Sequence, residues 1–302
     1  MRALGLVLLW SLFASCASPE RNDLRAKKIL AEERSPFGLV SVYDIDGKRH
    51  LNIGSQEQSA MDLSDKRRWV FNYTYMLSVA VLARVPDTVG KGVLCLVIGL
   101  GGGSFANFLA DSFPDWNIHV VELDPVVIRL ARQYFPINKN IRIIQADGRL
   151  HLQNRTDKYD LIVMDAFGAQ FIPPALYTLE FFKLMKSRLK PKGMVLMNAW
   201  ENEELDAAEI ATLRRSFEKG YYIHHPDDHP GNRIYLLAKE LETDAVLKKR
   251  INERFAALNF PGESPQRILE TMKSIHSGAN RNAPITDATV REILDRTFGK
   301  GS

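Results

Sequence analysis

The sequence predicts an α/β protein: a doubly wound, mostly parallel sheet with a small antiparallel β unit in front of it. Three observations carry that prediction. Apolar strand-like runs alternate with helical periodicities from Val93 to Met197. A glycine-rich turn, Gly99-Leu100-Gly101-Gly102-Gly103, stands directly between a strand and a helix. Ahead of it, Asp46-Gly47 separates two strand-like runs, Leu39 to Tyr43 and Arg49 to Ile53. Asp-Gly in that setting signals a hairpin.

The glycine turn organises the chain. Val93 to Ile98 is apolar and partly β-branched, as a buried parallel strand requires. Glycine lets a ligand approach the backbone, because no Cβ stands in the way. Ser104 to Phe113 has apolar residues at helical spacing. Ile118 to Val121 is a second strand and ends in Glu122. An acid about 20 residues beyond such a turn can accept hydrogen bonds from ribose hydroxyls. Gly99, Gly101, Gly103 and Glu122 together describe a nucleoside-binding βαβ unit. A dinucleotide fingerprint wants G-x-G-x-x-G/A. Here the sixth position is Ser104 and the pattern is G-x-G-x-G, which resembles the first motif of S-adenosylmethionine-type enzymes. That class is favoured over NAD.

The flanking elements follow in order. Residues 17–35 read as a linker or loose helix, Gln56 to Asp62 as a loop, and Lys66 to Leu82 as a helix. Asp124 is placed to cap a helix from Pro125 to Tyr134. Ile141 to Ile144 is a strand ending in Ala146-Asp147-Gly148. Leu161 to Met164 is another, ending in Asp165. Thr178 opens a helix to Leu189, Met194 to Met197 is a strand, and Glu203 to Phe217 is helical. Tyr221 to His224 and Arg233 to Leu237 leave no room for a crossover helix, so they must run antiparallel. The expected organisation is a leader over 1–16, a linker with the small β unit and a helix over 17–85, a nucleoside-binding α/β domain over 86–240, and a helical C-terminal cap over 241–302.

Composition narrows the partners. The 302 residues are 45% apolar with a net charge of +4, and acids and bases are mixed along the chain. No basic stripe interleaved with aromatics is present, so nucleic acid is not an expected partner. Arg2, the apolar run Ala3 to Phe13 and the small residues before Cys16 read as an export leader. Phe13-Ala14-Ser15-Cys16 resembles a lipobox, which would attach the protein to a membrane through a lipidated Cys16. Export or anchoring on the periplasmic side follows from the N-terminus, whereas a sulfonium nucleoside points to the cytoplasm. The second cysteine, Cys95, lies in the central strand as a small core residue. His224, His225 and His229 flank a turn without Cys or a helical i, i+4 pair, so no metal is expected.

Ligands of open α/β sheets bind beyond the carboxyl ends of the strands. Gly99 to Gly103, Glu122, Asp147-Gly148 and Asp165 all fall there. Asp147-Gly148 read alone could be a turn, and Asp165 a loop cap. Acids delivered by independent strands to one edge favour a site.

From about Ser35 to Ala238 the sequence resembles the spermidine synthase-like polyamine aminopropyltransferases, a branch of the class I methyltransferase fold. The resemblance rests on Gln58-Ser59-Ala60-Met61-Asp62, Gly99-Leu100-Gly101-Gly102-Gly103, Val121-Glu122-Leu123-Asp124-Pro125, Asp147-Gly148-Arg149 and Tyr159 to Asp165. It implies that Glu122 holds a ribose, Asp147 an adenine amino group, and Gln58 the pocket wall. It places Asp165 beside an attacking amine. The co-substrate it implies is decarboxylated S-adenosylmethionine or S-adenosylmethionine, and the partner a small-molecule amine. A homodimer is one assembly the chain could form. Tyr73 and Tyr75 are candidates to face a cationic substrate, and Trp69 is an equal candidate for the core. The sequence departs from the family pattern in three places. Gly102 stands where an acid is usual, Asp165-Ala166-Phe167-Gly168 lacks a second acid, and Tyr73-Thr74-Tyr75 replaces Tyr-His-Glu. The alternatives are an S-adenosylmethionine-dependent methyltransferase and a non-catalytic exported protein that binds a nucleoside or a partner.

Overall fold

A computed structural model describes residues 27–84, 92–167, 173–228, 230–258, 262–278 and 282–298. The leader, Cys16, Gly168 and His229 lie outside the described residues. Four antiparallel strands come first: β1 (Lys28–Ser35), β2 (Gly38–Ile45), β3 (Lys48–Ile53) and β4 (Gln56–Asp62). They form a sheet in that order. Asp46 and Gly47 both have positive φ, 52° and 73°, the backbone of a two-residue primed turn. Two sequence expectations are corrected here. The segment read as a linker or loose helix contains β1, and the loop at Gln56 is β4. Both are polar, poor strand formers by composition, and cross-strand pairing overrides that preference.

Helix α1 (Asn72–Val81) begins six residues later than its apolar content suggests. It leads to β5 (Leu94–Ile98), α2 (Ser104–Ser112), β6 (Asn117–Glu122), α3 (Pro125–Tyr134) and β7 (Ile141–Gln145). Asp124 caps α3 by accepting from the Val126 amide at 2.8 Å. Next come α4 (Gly148–Asn154), β8 (Tyr159–Met164), α5 (Leu179–Ser187), β9 (Leu189–Trp200) and α6 (Glu203–Ser216). The hairpin β10 (Lys219–His224) and β11 (Asn232–Ala238) follows. The C-terminal residues supply α7 (Asp244–Ala257), α8 (Gln266–Glu270) and α9 (Val290–Phe298). They also supply a two-residue strand, β12 (Lys273–Ser274), so this stretch is not wholly helical.

The large sheet has the order β12-β10-β11-β9-β8-β5-β6-β7. Strands β5 to β9 are parallel, and β11, β10 and β12 are each antiparallel to their neighbours. This is the predicted mixed, mostly parallel α/β fold. Helices cover both faces, so Cys95 to Ile98 are almost completely buried. Burial also pushes the Cys95 thiol up. The chain leaves β5 toward β6 on one side and later returns through β8 on the other. That reversal makes a crevice at the carboxyl end of β5, the usual ligand position in such sheets. The small sheet lays Val40, Val42 and Leu51 against Val126, Val127 and Leu130 of α3. Burying a side chain of this kind contributes about 1.5–3 kcal/mol, which seats β4 beside the crevice. Among the described residues, no helix is long and apolar enough to cross a membrane.

Candidate active site

At that crevice lies a cavity of about 790 Å³. Its floor is the turn after β5. Gly99 has φ +105°, and a Cβ on it would sit 2.2 Å from the Asp165 carbonyl oxygen. No other residue lets the ends of β5 and β8 approach so closely. Gly101 has φ +52°, and a Cβ on it would lie 3.2 Å from Ser59 Cβ and 3.3 Å from the Gln58 carbonyl oxygen of β4. The small sheet thus forms one wall. Gly148 opens α4 against Ile98, where a Cβ would come within 2.5 Å of Cγ2.

Three acids enter from the ends of β6, β7 and β8. Glu122 accepts from the Leu100 amide through Oε2 and from the Asp124 amide through Oε1, both at 2.9 Å. Burial holds its carboxyl above the ordinary range, against those amide contacts. Asp147 caps α4 by accepting from the Leu150 amide at 2.8 Å. Asp165 accepts from Asn198 Nδ2 at 2.9 Å. Burial pushes Asp165 up to about 7, and the Asn198 hydrogen bond opposes it. Glu57, Asp124 and Asp228 also line the cavity, and no Lys, Arg or His does among the described residues. Such a wall attracts a cation and repels a carboxylate.

Gln58, Tyr73, Gly99, Gly101, Glu122, Asp147, Gly148 and Asp165 come together around this one cavity. The Tyr73 hydroxyl donates to the Gln58 carbonyl at 3.4 Å. Burial, and then the Asp165 carboxylate, push its phenol up. Three expected or candidate residues stand elsewhere. Gly103 is the left-handed cap of α2, φ 78°, with its α-carbon packed on Ile137. Tyr75 turns away from the cavity, and its hydroxyl donates to the Glu263 carbonyl. Helical spacing puts residues two apart on different faces, so Tyr73 and Tyr75 cannot both face one ligand. Trp69 precedes α1 and packs edge-on against Phe108, with ring centroids 5.2 Å apart.

The Spermine/spermidine synthase domain matches residues 80–224. Polyamine aminopropyltransferase from Vibrio vulnificus is 31% identical over 266 residues, spanning 84% of this chain and 86% of that protein. The chain belongs to the polyamine aminopropyltransferase family. Its named homologues are transferases. A probable spermidine synthase from Corynebacterium glutamicum has the same fold, with a TM-score of 0.67 and 19% identity over 90% of this chain and 94% of that one. A spermidine synthase in complex with the transition-state analogue AdoDATO superposes with a TM-score of 0.61 and 17% identity, covering 81% and 83%.

Gly102, where the family pattern expects an acid, is closely packed in this structure. A Cβ there would lie 2.8 Å from the Phe135 ring and 2.9 Å from Ser59 Oγ. Sequence reasoning missed Asn198, Trp200, Asn232 and Asp228, all in the cavity wall. Asn198 and Trp200 end a strand that was legible, so the rule of strand carboxyl ends could have found them. Asn232 begins β11 and reaches this edge only because β11 runs antiparallel to β9. His224 ends β10 and His225 follows it, and no group of three or more His, Cys, Asp or Glu among the described residues is placed to hold a metal.

Proposed function

We propose that this protein moves an aminopropyl or related alkyl group from a sulfonium nucleoside to a small-molecule amine. The observation that carries the reading is the acid-lined cavity, free of basic side chains among the described residues, with Asp165 in its wall. A sulfonium and an ammonium suit that wall, whereas the carboxylate of S-adenosylmethionine would meet like charge. Decarboxylated S-adenosylmethionine is therefore the favoured donor. Glu122 receives the ribose hydroxyls, Asp147 the adenine amino group, and Gln58 closes the nucleoside end.

The reaction is a direct displacement. The amine lone pair attacks the carbon beside sulfur, the carbon–sulfur pair moves to sulfur, and a neutral thioether leaves. The new ammonium loses one proton. Asp165, poised near neutrality, accepts that proton or holds the cationic amine. The rest of the acceleration comes from holding amine and carbon in line. A second reading, methyl transfer from S-adenosylmethionine, is supported by Gly102, which departs from the aminopropyltransferase pattern at the position of its usual acid.

Calorimetric titration with decarboxylated S-adenosylmethionine, S-adenosylmethionine and methylthioadenosine separates the readings. Tighter binding of the decarboxylated form is the expected outcome. Preference for S-adenosylmethionine transfers the assignment to methyl transfer. Binding of none leaves a partner-binding protein on an enzyme fold.

A further inference from the structure

Asp165 is not held alone. Asn198, near the carboxyl end of β9, is 1% exposed. Its Nδ2 donates to Asp165 Oδ1 at 2.9 Å, and its Oδ1 accepts from Asn232 Nδ2 at 2.9 Å. The register pairs Asn232 with Trp200 and Ile234 with Asn198. The two asparagines are thus diagonal neighbours on one face of the sheet, within side-chain reach. The chain has a direction. Ionised Asp165 only accepts, so the Asn198 amide nitrogen faces it in that state. The Asn198 carbonyl is then left for Asn232, which must present its NH2. Asp165 Oδ2 makes no hydrogen bond among the described residues, although Asp165 lines the cavity.

The geometry points to Asn198 and Asn232 as positioning residues, a one-way amide relay that holds one oxygen of Asp165 and presents the other to the reacting amine. The inference rests on the reading that Asp165 meets that amine. Few other groups bear on Asp165. Tyr73 faces it from α1, while Glu57, Glu122, Asp124, Asp147 and Asp228 share the cavity wall. None of these donates a hydrogen bond to it, and no Lys, Arg or His joins them among the described residues. Asn198 is the group that opposes the burial of Asp165.

The direction of the relay can be reversed. In Asn232→Asp the new carboxylate cannot donate, so it draws Asn198 Nδ2 toward itself. The Asn198 carbonyl then turns to Asp165, which it can satisfy only in the protonated form. Asn198→Ala removes the donor altogether. The measurement is the titration of the Asp165 carboxyl carbon by NMR in ligand-free protein, with Asp165→Asn identifying the resonance. We expect the midpoint to rise by roughly one pH unit in Asn198→Ala, and further in Asn232→Asp. The acid limb of kcat/KM should move by the same amounts.

Adding Asn232→Asp to Asn198→Ala should change little, because the effect passes through Asn198. A further rise when Asn232→Asp is added to Asn198→Ala would mean direct charge repulsion and would overturn the relay. So would an unmoved midpoint in both single variants, even if turnover fell. Asn198→Ser keeps a small donor, serves as a second variant and should raise the midpoint less than Asn198→Ala does. Midpoints that move as expected without turnover of any sulfonium nucleoside would uphold the relay and sink the aminopropyl reading.

Discussion

Asp165 combines burial with a raised affinity for its proton, and that has a thermodynamic consequence. Its folded-state value is about 7, well above that of an unfolded Asp. Between about pH 4 and pH 7 the folded protein therefore binds a proton that the unfolded chain has released. Stability from this group falls as pH rises through that window and stays low above it. Asp165→Asn should raise the thermal midpoint by roughly 2–6 °C near pH 8. Near pH 4, where Asp165 is already neutral, the difference should vanish. Thermal unfolding at both pH values checks this, and an equal difference at both would mean that the carboxylate is not destabilised by burial. At the same scale, the glycines were legible as a motif but not as individuals. Gly99 and Gly101 face the cavity, while Gly103 turns a helix cap toward Ile137. Spacing alone could not separate them, because the φ of each depends on what packs above the turn.

At the scale of elements, the C-terminal residues tie down the helices beside the site. Thr178 accepts from the Phe181 amide to cap α5 and donates to Asp287 Oδ1 at 2.6 Å. Arg149 of α4 donates to the same oxygen at 2.7 Å, and the Asp287 amide donates to Glu180 at 2.9 Å. One aspartate so joins the first turns of α4 and α5, next to Asp147. Asp287→Ala should cost about 1–2 kcal/mol, discounted because the pair is partly exposed. Urea unfolding measures it, and an unchanged midpoint would show that the tie contributes nothing. Helix starts with a side-chain cap, Asp124 and Thr178, were legible from the sequence, because a cap is a local interaction. Strands β1 and β4 were not, because their pairing partners decide them.

For the whole molecule, charge is segregated rather than uniform. The chain carries a net charge of +4, yet its main cavity is lined by six acids and, among the described residues, no base. Binding of a cationic nucleoside should therefore weaken several-fold between about 0.05 and 0.5 M salt, as screening shortens the reach of those carboxylates. Methylthioadenosine, which is neutral, should bind with little salt dependence. Titration of both ligands at the two salt levels tests this, and parallel behaviour would contradict an electrostatic basis for recognition.

The amino-acid sequence by itself determined the alternation of strands and helices, the glycine turn, and the three acids at strand ends. Each of these is written in contiguous residues whose periodicity reports the faces of a single element. Tertiary structure alone decided that Gln56 to Asp62 pairs as a strand, that Tyr75 leaves the cavity while Tyr73 stays, and that Asn232 reaches Asp165 through Asn198. Asn198 lies 33 residues from Asp165, and Asn232 lies 34 beyond Asn198. Contacts over such distances depend on strand register and on which surfaces meet when the core closes, and no local pattern encodes either.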